Sequence, residues 1–338
     1  MKKEIKKKAD QNIYLPEENW WGQRLDKWLA DKLTIARSLA RQLVLEKAVL
    51  LNEQNAKPHA LLREGDRLEI VRKNILSDLT AIKGKKGKKS KKEKDEEEKK
   101  REQEIEDFNI EIIAKTKDYL VVNKPAGLLT HPAPSSAAPS LTTWLLKKYP
   151  QVSSVGEDLN RPGIVHRVDK DASGLLVVAL NNNFFNHLKE QFKKRQVKKI
   201  YQALVYDAAL PDEFEVNFLI ERSSDGSKMA AKPLSQTGRT ATTKVKVIKK
   251  FYNYALLEVT IATGRTHQIR VHLSAYTHPI VGDNIYGQVK HKKMNLKFGL
   301  KRIFLVATKL SFEDLAGKKV EFSIELPNEL TEFLKIIK

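Results

Sequence analysis

A strongly charged segment in the first third of the chain constrains the fold most, because it cannot enter a hydrophobic core. Residues 83–107 contain 11 basic and 9 acidic side chains and almost no apolar ones. Such a sequence forms a solvated helix, held by opposite charges four residues apart, or stays without regular structure. We therefore predict a linker over residues 73–107. It separates a small module at 21–72, preceded by a basic extension at 1–20, from a larger domain at 108–338.

The module before the linker has the pattern of two helices followed by a hairpin. Apolar residues recur at one-face spacing in Leu25–Leu33 and again in residues 34–47, where Thr34 is the predicted N-cap. Short strand-like runs follow at Val49–Asn52 and Arg67–Val71, separated by a polar stretch. This order predicts a small α+β domain.

Positive charge is the next informative property of the sequence. The linker has a surplus of only two positive charges, so most of the net charge of +20 belongs to the folded parts. Arg37 and Arg41 lie four residues apart on the second predicted helix and therefore share one face. A basic surplus on folded surface is typical of proteins that bind nucleic acid. General solubility is the competing interpretation.

Strand-like runs with few helices between them fill the region after the linker. The runs are Tyr119–Asn123, Leu175–Leu180, Lys199–Tyr206, Thr242–Ile248, Ala255–Thr260, Ile303–Leu310 and Lys319–Glu325. The helical segments are Ser140–Tyr149, Asn182–Lys194 and Thr266–Tyr276. This pattern predicts an α+β domain with a mixed, largely antiparallel sheet. Because no Gly-x-Gly-x-x-Gly motif follows a predicted strand, we expect no nucleotide cofactor.

The composition excludes several classes of protein. The chain has no cysteine, which rules out a disulfide framework, thiolate metal sites and a cysteine nucleophile, and which fits a reducing cytoplasm. No apolar run approaches the roughly 20 residues that a membrane span needs. The basic start has no apolar stretch behind it, so we expect neither a signal peptide nor a membrane partner.

The densest group of reactive side chains lies in Arg161–Leu175. A histidine, three arginine or lysine residues and two aspartates precede a buried strand, and loops held by rigid strands often carry catalytic groups. A charged turn in which Asp171 or Ser173 hydrogen-bonds locally is the alternative interpretation.

A second group lies in Thr263–Leu273, where Gly264 marks a turn and Thr266 is the predicted cap of a helix. His267 and Arg270 share one face of that helix and could bind a phosphate or a carboxylate. The gaps between this histidine and the two that follow it do not suit a metal site, and no carboxylate completes one, so we predict no metal.

Several residues of the first module resemble the S4-like RNA-binding domain. They are Arg24-Leu25-Asp26, Arg37, Arg41, Val49–Asn52 and Glu64-Gly65-Asp66. The sequence departs from the family at Ala48, where glycine is usual after the second helix. Because alanine adopts the left-handed cap conformation poorly, we expect a different turn there.

Four motifs after the linker resemble the RluA/RluD family of pseudouridine synthases. In chain order they are Val121–Gly127 with His131-Pro132, His166–Gly174, Lys199–Val205, and Thr263–Leu273 with Gly282-Asp283 and Tyr286-Gly287. The departures are small: Val168 replaces the usual leucine and Ala172 the usual threonine. The resemblance implies a pseudouridine synthase fold. It also implies an enzyme that isomerises uridine in RNA without a cofactor or a metal.

The resemblance also implies roles for individual residues. Asp169 takes the place of the family's nucleophile, and Arg270 that of the cation which keeps this carboxylate ionised. Tyr201 takes the place of the residue that stacks on the uracil or transfers a proton, with sheet packing as its alternative role. Arg167 corresponds to the wedge that replaces the extruded base. Further contacts with the substrate or the RNA are predicted for His166, Arg265, His267, Lys124, Arg37 and Arg41.

The sequence thus predicts an RNA pseudouridine synthase that acts on large-subunit ribosomal RNA, free or in a pre-ribosomal particle, as a cytoplasmic monomer. The ribosomal substrate is inferred from the S4-like domain and from Gly163–His166 with Lys170-Asp171, which look most like the D-type members. Transfer RNA is one alternative substrate. The other alternative is a catalytically silent ribosome-assembly factor that only binds RNA.

Overall fold

A computed structural model describes residues 13–33, 37–71, 108–132, 138–158, 160–223 and 228–337, and the predicted linker lies outside these ranges. The chain divides into two compact units, residues 1–94 and 95–338, which are treated one at a time below. None of the helices in the described residues is long and apolar enough to cross a membrane.

The helices and strands are numbered here in chain order. The first unit contains β1 (Ile13–Tyr14), α1 (Leu25–Leu33), α2 (Arg37–Leu45), β2 (Val49–Leu51), β3 (Gln54–Asn55) and β4 (Leu68–Ile70). The strands of the second unit are β5 (Glu111–Lys115), β6 (Tyr119–Lys124), β7 (Ser173–Ala179), β8 (Lys198–Tyr206), β9 (Glu213–Val216), β10 (Leu219–Arg222), β11 (Met229–Lys232), β12 (Arg239–Thr240), β13 (Thr243–Lys250), β14 (Tyr254–Ile261), β15 (Leu305–Glu313) and β16 (Lys319–Ser323). Its helices are α3 (Leu141–Lys148), α4 (Asn182–Lys193), α5 (Gln268–Ala275), α6 (Val289–Phe298) and α7 (Asn328–Ile336).

The first unit packs its two helices on a small antiparallel sheet of order β1-β4-β2-β3. Leu25, Leu29 and Leu43 form its core from the helices, as their spacing predicts. The sheet begins earlier than the predicted boundary at residue 21, because β1 pairs with β4 and Tyr14 packs edge-on against Trp28 at 5.7 Å between ring centroids. The described end of the predicted extension is therefore part of this unit.

The turn after α2 shows how the chain accommodates alanine where related domains have glycine. Lys47 adopts the left-handed conformation, with φ of 58°, one residue before that position. The N–H of Ala48 donates to the carbonyl of Leu43, and its methyl group is buried. Ala48 therefore needs no left-handed backbone of its own. The predicted cap at Thr34 lies outside the described residues.

In the described residues of the second unit, one large sheet has the order β5-β6-β7-β15-β8-β14-β13-β9, with β16 also paired to β15. The pairing of β7 with β15 is the one parallel pairing between strands of this sheet, and the others are antiparallel. The prediction of a mixed, largely antiparallel sheet in an α+β domain is therefore confirmed. The predictions missed a small three-stranded sheet of order β11-β10-β12 and the helices α6 and α7.

The parallel contact between β7 and β15 needs a glycine. Gly174 has φ of +119°, and a Cβ atom there would lie only 2.3 Å from the carbonyl oxygen of Ala307. Gly174 follows directly on the loop that carries the predicted catalytic motif, so this close approach fixes where the loop leaves the sheet.

We predict that Gly174→Ala destabilises the second unit much more than Gly317→Ala, a matched control. Gly317 also has a positive φ, of +77°, but a Cβ there would meet nothing within 4 Å. The free energy of unfolding should fall by about 1 kcal/mol in the control, from backbone strain alone. In Gly174→Ala it should fall by roughly 1–3 kcal/mol more, because the added methyl group overpacks the contact. Calorimetric unfolding of the full chain tests this. Equal losses in the two variants would contradict the close-approach argument.

Candidate active site

The two groups of reactive side chains predicted from the sequence meet at one cavity of about 480 Å³. Its walls come from the loop before β7, from β8 and from the loop between β14 and α5. Asp169, Tyr201 and Arg265 all line it, although they are far apart in the sequence. The volume lies in the range of ordinary ligand pockets.

Asp169 lies against a buried guanidinium. Its side chain is 13% exposed, and its Oδ2 lies 3.8 Å from Nη1 of Arg270, which is only 2% exposed. The same Nη1 lies 4.0 Å from Oδ2 of Asp171, whose side chain is about half exposed. The structure thus brings together the predicted nucleophile and the predicted cation.

Asp283 fixes the position of Arg270. Nε of the guanidinium donates to Oδ2 at 2.7 Å and Nη2 to Oδ1 at 2.9 Å, which leaves Nη1 directed toward Asp169. Oδ1 also accepts the backbone N–H groups of Ile285 and Tyr286. Burial alone would raise the pKa of Asp283, but these hydrogen bonds and the guanidinium charge hold it below its usual range.

Tyr201 is buried in the middle of β8 and reaches the same cavity. Burial raises the pKa of its phenol, and the negative charge of Asp169 raises it further. At neutral pH the phenol therefore keeps its proton. The carboxylate and the phenol lie close enough for one charge to affect the ionisation of the other group.

Lys124 corrects one prediction, because this side chain cannot contact RNA. It is 0% exposed, and its ammonium donates to the carbonyls of Pro125, Leu128 and Ala172 at 2.8–2.9 Å, with that of Lys170 at 3.4 Å. Burial lowers the pKa of Lys124 to about 7. Its role is structural: the ammonium ties the end of β6 to the backbone on either side of Asp171.

His166 forms part of the cavity wall. Its Nε2 accepts the backbone N–H of Val177 at 3.0 Å, and its ring stacks on Phe192 with centroids 4.9 Å apart. Burial, together with the nearby charge of Lys199, lowers the pKa of His166 to about 3, so the ring is neutral. Any contact it makes with a substrate is therefore that of a neutral ring.

The turn before α5 differs from the prediction. Thr266 is not the cap of this helix: α5 begins at Gln268, after a left-handed His267 with φ of 56°. Nδ1 of His267 instead pairs with the hydroxyl of Tyr286 at 2.9 Å. Gln268 holds the turn, because its Oε1 accepts from the Thr263 hydroxyl and from the backbone N–H of Arg265.

The four arginines predicted to contact RNA lie at different places. Arg167 lines the cavity and is half-buried, and its Nε has no hydrogen-bond partner in the described structure. Arg265 also lines the cavity, and its Nε donates to the carbonyl of Thr240. Arg41 is exposed on α2 of the first unit, and Arg37 begins that helix. Within the described ranges, no cluster of three or more His, Asp or Glu residues could hold a metal ion.

Comparisons with known proteins agree with this geometry. A family model described as RNA pseudouridylate synthase matches residues 118–275, and an S4 domain model matches residues 23–68. A Neisseria meningitidis serogroup B protein named ribosomal large subunit pseudouridine synthase D is 31% identical over 325 residues, which cover 94% of this chain and 79% of that one. A Zymomonas mobilis protein of the same name is 36% identical over 238 residues, 69% of this chain and 74% of that one.

A solved structure shows the same likeness. Human RNA pseudouridylate synthase domain containing 4 has a TM-score of 0.53 and 26% sequence identity, and the match covers 67% of this chain and 93% of that one. The chain belongs to the RNA pseudouridine synthase family. The predicted family, its α+β fold, the isomerase activity on RNA and the S4 domain in front are thereby confirmed.

Asp283 belongs to this synthase's site, although the sequence analysis assigned it no role. It stood inside the Gly282-Asp283 motif, but a motif does not reveal which side chain its carboxylate meets. The motif Lys199–Val205 likewise contributes Lys199 to the cavity wall as well as Tyr201. Asp283 and Lys199 are both charged residues inside the quoted motifs to which no role was assigned, and this signal could have marked them as candidate site residues.

We predict that Asp283→Asn lowers both the activity and the stability of the synthase. Loss of the charge leaves Arg270 buried without a full counter-ion, at a cost of about 3–5 kcal/mol. The displaced guanidinium should reduce kcat by on the order of 100-fold. Tritium release from uridine labelled at carbon five measures activity, and calorimetry measures stability.

The control for this prediction is Asp212→Asn, which removes an exposed ion pair with Lys250. The control should change neither the midpoint of unfolding nor kcat, because exposed pairs contribute little. Normal kcat in Asp283→Asn would show that Arg270 does not need this partner.

Proposed function

We propose that the synthase isomerises uridines of large-subunit ribosomal RNA, and that it does so by drawing one base at a time into the cavity next to Asp169. The ribosomal substrate is supported by the two relatives named ribosomal large subunit pseudouridine synthase D. The chemistry is supported by one observation above all: a nearly buried carboxylate lies 3.8 Å from a fixed guanidinium and lines the same cavity as a buried phenol.

Asp169 is the proposed nucleophile. Pseudouridine formation breaks the N-glycosidic bond, turns the base and joins its carbon five to the sugar, with no redox change. Nη1 of Arg270 lies 3.8 Å from the carboxylate, close enough for the two opposite charges to attract each other and to orient the nucleophile. An addition of this carboxylate to the sugar and an addition to the base both fit the arrangement.

Tyr201 and Arg167 complete the proposed mechanism. The phenol of Tyr201 keeps its proton, so it can stack on the base and donate a hydrogen bond but does not start as a base. Extruding a uridine from a stack costs a few kcal/mol. Arg167, at the cavity wall with an unpartnered Nε, is positioned to replace the missing base and to bind phosphate.

The division of labour between the two units is also part of the proposal. We assign RNA capture to residues 21–72, where Arg41 is exposed, and chemistry to residues 108–338. A ribosomal RNA substrate places this work in the cytoplasm. The expected monomer and the absence of any cofactor stay predictions. Within the proposal, a catalytically silent assembly factor is disfavoured, because such a protein has no need of Asp169, Tyr201 and Arg270 together.

Mapping of pseudouridines in total RNA tests the substrate. Cells that lack the gene should lose specific pseudouridines in large-subunit ribosomal RNA, and a plasmid copy of the gene should restore them. A plasmid copy with Asp169→Asn should not, although the variant should fold and still bind the RNA. Loss of pseudouridines in transfer RNA alone would show that transfer RNA is the substrate. Full restoration by the Asp169→Asn copy would show that Asp169 is not the nucleophile.

We predict that Arg167→Ala reduces turnover unequally on two RNA substrates. A uridine flanked by duplex must be extruded at full cost, whereas a uridine in a flexible loop is already unstacked. The variant should therefore lose roughly tenfold more kcat/KM on the duplex substrate, equivalent to about 1.4 kcal/mol. Tritium release from both RNAs measures this difference. Equal losses would remove the wedge role and leave Arg167 as a general RNA contact.

A further inference from the structure

Lys199 is a buried cation in the wall of the catalytic cavity. Its side chain is 5% exposed, and it lies two positions before Tyr201 on β8, so the two side chains emerge on the same face of the strand. Its ammonium lies 5.2 Å from the ring centroid of Phe192. On its other side, a Cβ atom at Gly264 would lie 3.6 Å from Nζ.

No residue in the described part of the chain supplies a counter-ion for Lys199. No carboxylate of the described residues lies within ion-pair distance of Nζ of Lys199, and no side chain among them accepts a hydrogen bond from this ammonium. Burial alone lowers the pKa of Lys199 to about 8, so the group is still mostly charged at neutral pH. A buried unpaired charge is costly, which indicates that its partner arrives with the ligand.

The surroundings of Lys199 favour a phosphate as that partner. Asp169 is the one carboxylate among the described residues that line this cavity, whereas Arg167 and Arg195 line it together with Lys199. Arg265 lines the same cavity, and burial, together with the smaller effect of the positive charges of Arg239 and Arg195, lowers its pKa. The cavity that contains Lys199 therefore presents several cations, as the binding of a phosphodiester requires.

We propose that Lys199 binds the phosphate next to the everted uridine and thereby holds the nucleotide in the cavity while Asp169 and Tyr201 act on it. This inference rests on the proposed base flipping, since a stacked nucleotide would not reach the ammonium. A contact with a uracil carbonyl is the competing role, and the experiment below separates the two.

The first arm of the experiment compares Lys199→Met and Lys199→Arg with a matched control, Lys198→Met. Lys198 is the exposed neighbour on the same strand. The substrate is an RNA hairpin around a uridine that the wild-type enzyme modifies in total RNA, whichever class of RNA carries it. The outcome is therefore independent of whether that RNA is ribosomal.

For Lys199→Met we expect KM to rise by about 10- to 100-fold, as for the loss of a charged hydrogen bond, with kcat changed less than about twofold. The slope of log affinity against log salt should decrease by about 0.7, the value for one phosphate of a single strand. Lys199→Arg should recover most of the affinity, and Lys198→Met should behave as wild type. A fall in kcat with unchanged KM would overturn the proposal in favour of the uracil contact.

The second arm removes the charge from the RNA instead of the protein. Hairpins carry one uncharged methylphosphonate, either 5′ or 3′ of the target uridine. One of these two positions should raise the wild-type KM as much as Lys199→Met does, and should cause no further loss in that variant. If both positions add their full effect to that of Lys199→Met, the phosphate contact is refuted. The rise in KM of the wild-type enzyme at one of the two positions is measured without the variant, so that part of the test holds even if Lys199→Met folds poorly.

Discussion

The bidentate pair between Arg270 and Asp283 is the interaction on which the rest of the site depends. One helix and the loop after it supply the two charges, and both are almost completely removed from water. A guanidinium with two of its nitrogens bound in this way has one direction left for the third, and that direction is toward Asp169. The backbone N–H groups of Ile285 and Tyr286 complete the carboxylate shell, so the loop itself holds the pair in place. The placement of the reactive carboxylate is thus decided by a pair that never needs to touch the RNA.

The loop that carries Asp169 is held at its end by two devices of a different kind. The ammonium of Lys124 donates to carbonyl groups of the turn after β6 and of the loop, and Gly174 lets β7 approach β15 too closely for any side chain. Both act on the backbone and not on reactive atoms. A loop that is rigid at its exit can present a nucleophile without the entropy cost of ordering it in each turnover. The buried charge of Lys124 is acceptable here because backbone carbonyls accept its hydrogen bonds, and the surrounding sheet supplies a large apolar core.

Much of this arrangement could be predicted from local sequence, and the failures have a common physical cause. The helix Leu25–Leu33 and the strands around Tyr201 follow from periodicity. The sequence motifs also singled out Asp169 and Arg270, whose side chains lie 3.8 Å apart in the structure. Thr266 failed as a cap because a contact with Tyr286, distant in sequence, accompanies the left-handed backbone of His267. Lys124 failed as an RNA contact because a motif gives the residue but not the direction of its side chain. Strand order, buried counter-ions and close backbone approaches are all long-range properties, and periodicity contains no information on them.

The position of β15 within the large sheet has a consequence for the folding of the enzyme during its synthesis on the ribosome. Strand β7, which follows the Asp169 loop, and strand β8, which carries Tyr201, are both synthesised before β15 (Leu305–Glu313). They are not neighbours in the sheet, because β15 lies between them. Translation proceeds from the N-terminus, so a nascent chain lacks the central strand until nearly all of its residues have been added. The S4 domain, by contrast, is complete after about the first fifth of the chain has been synthesised. A growing polypeptide therefore completes the residues of its S4 domain long before those of its catalytic sheet.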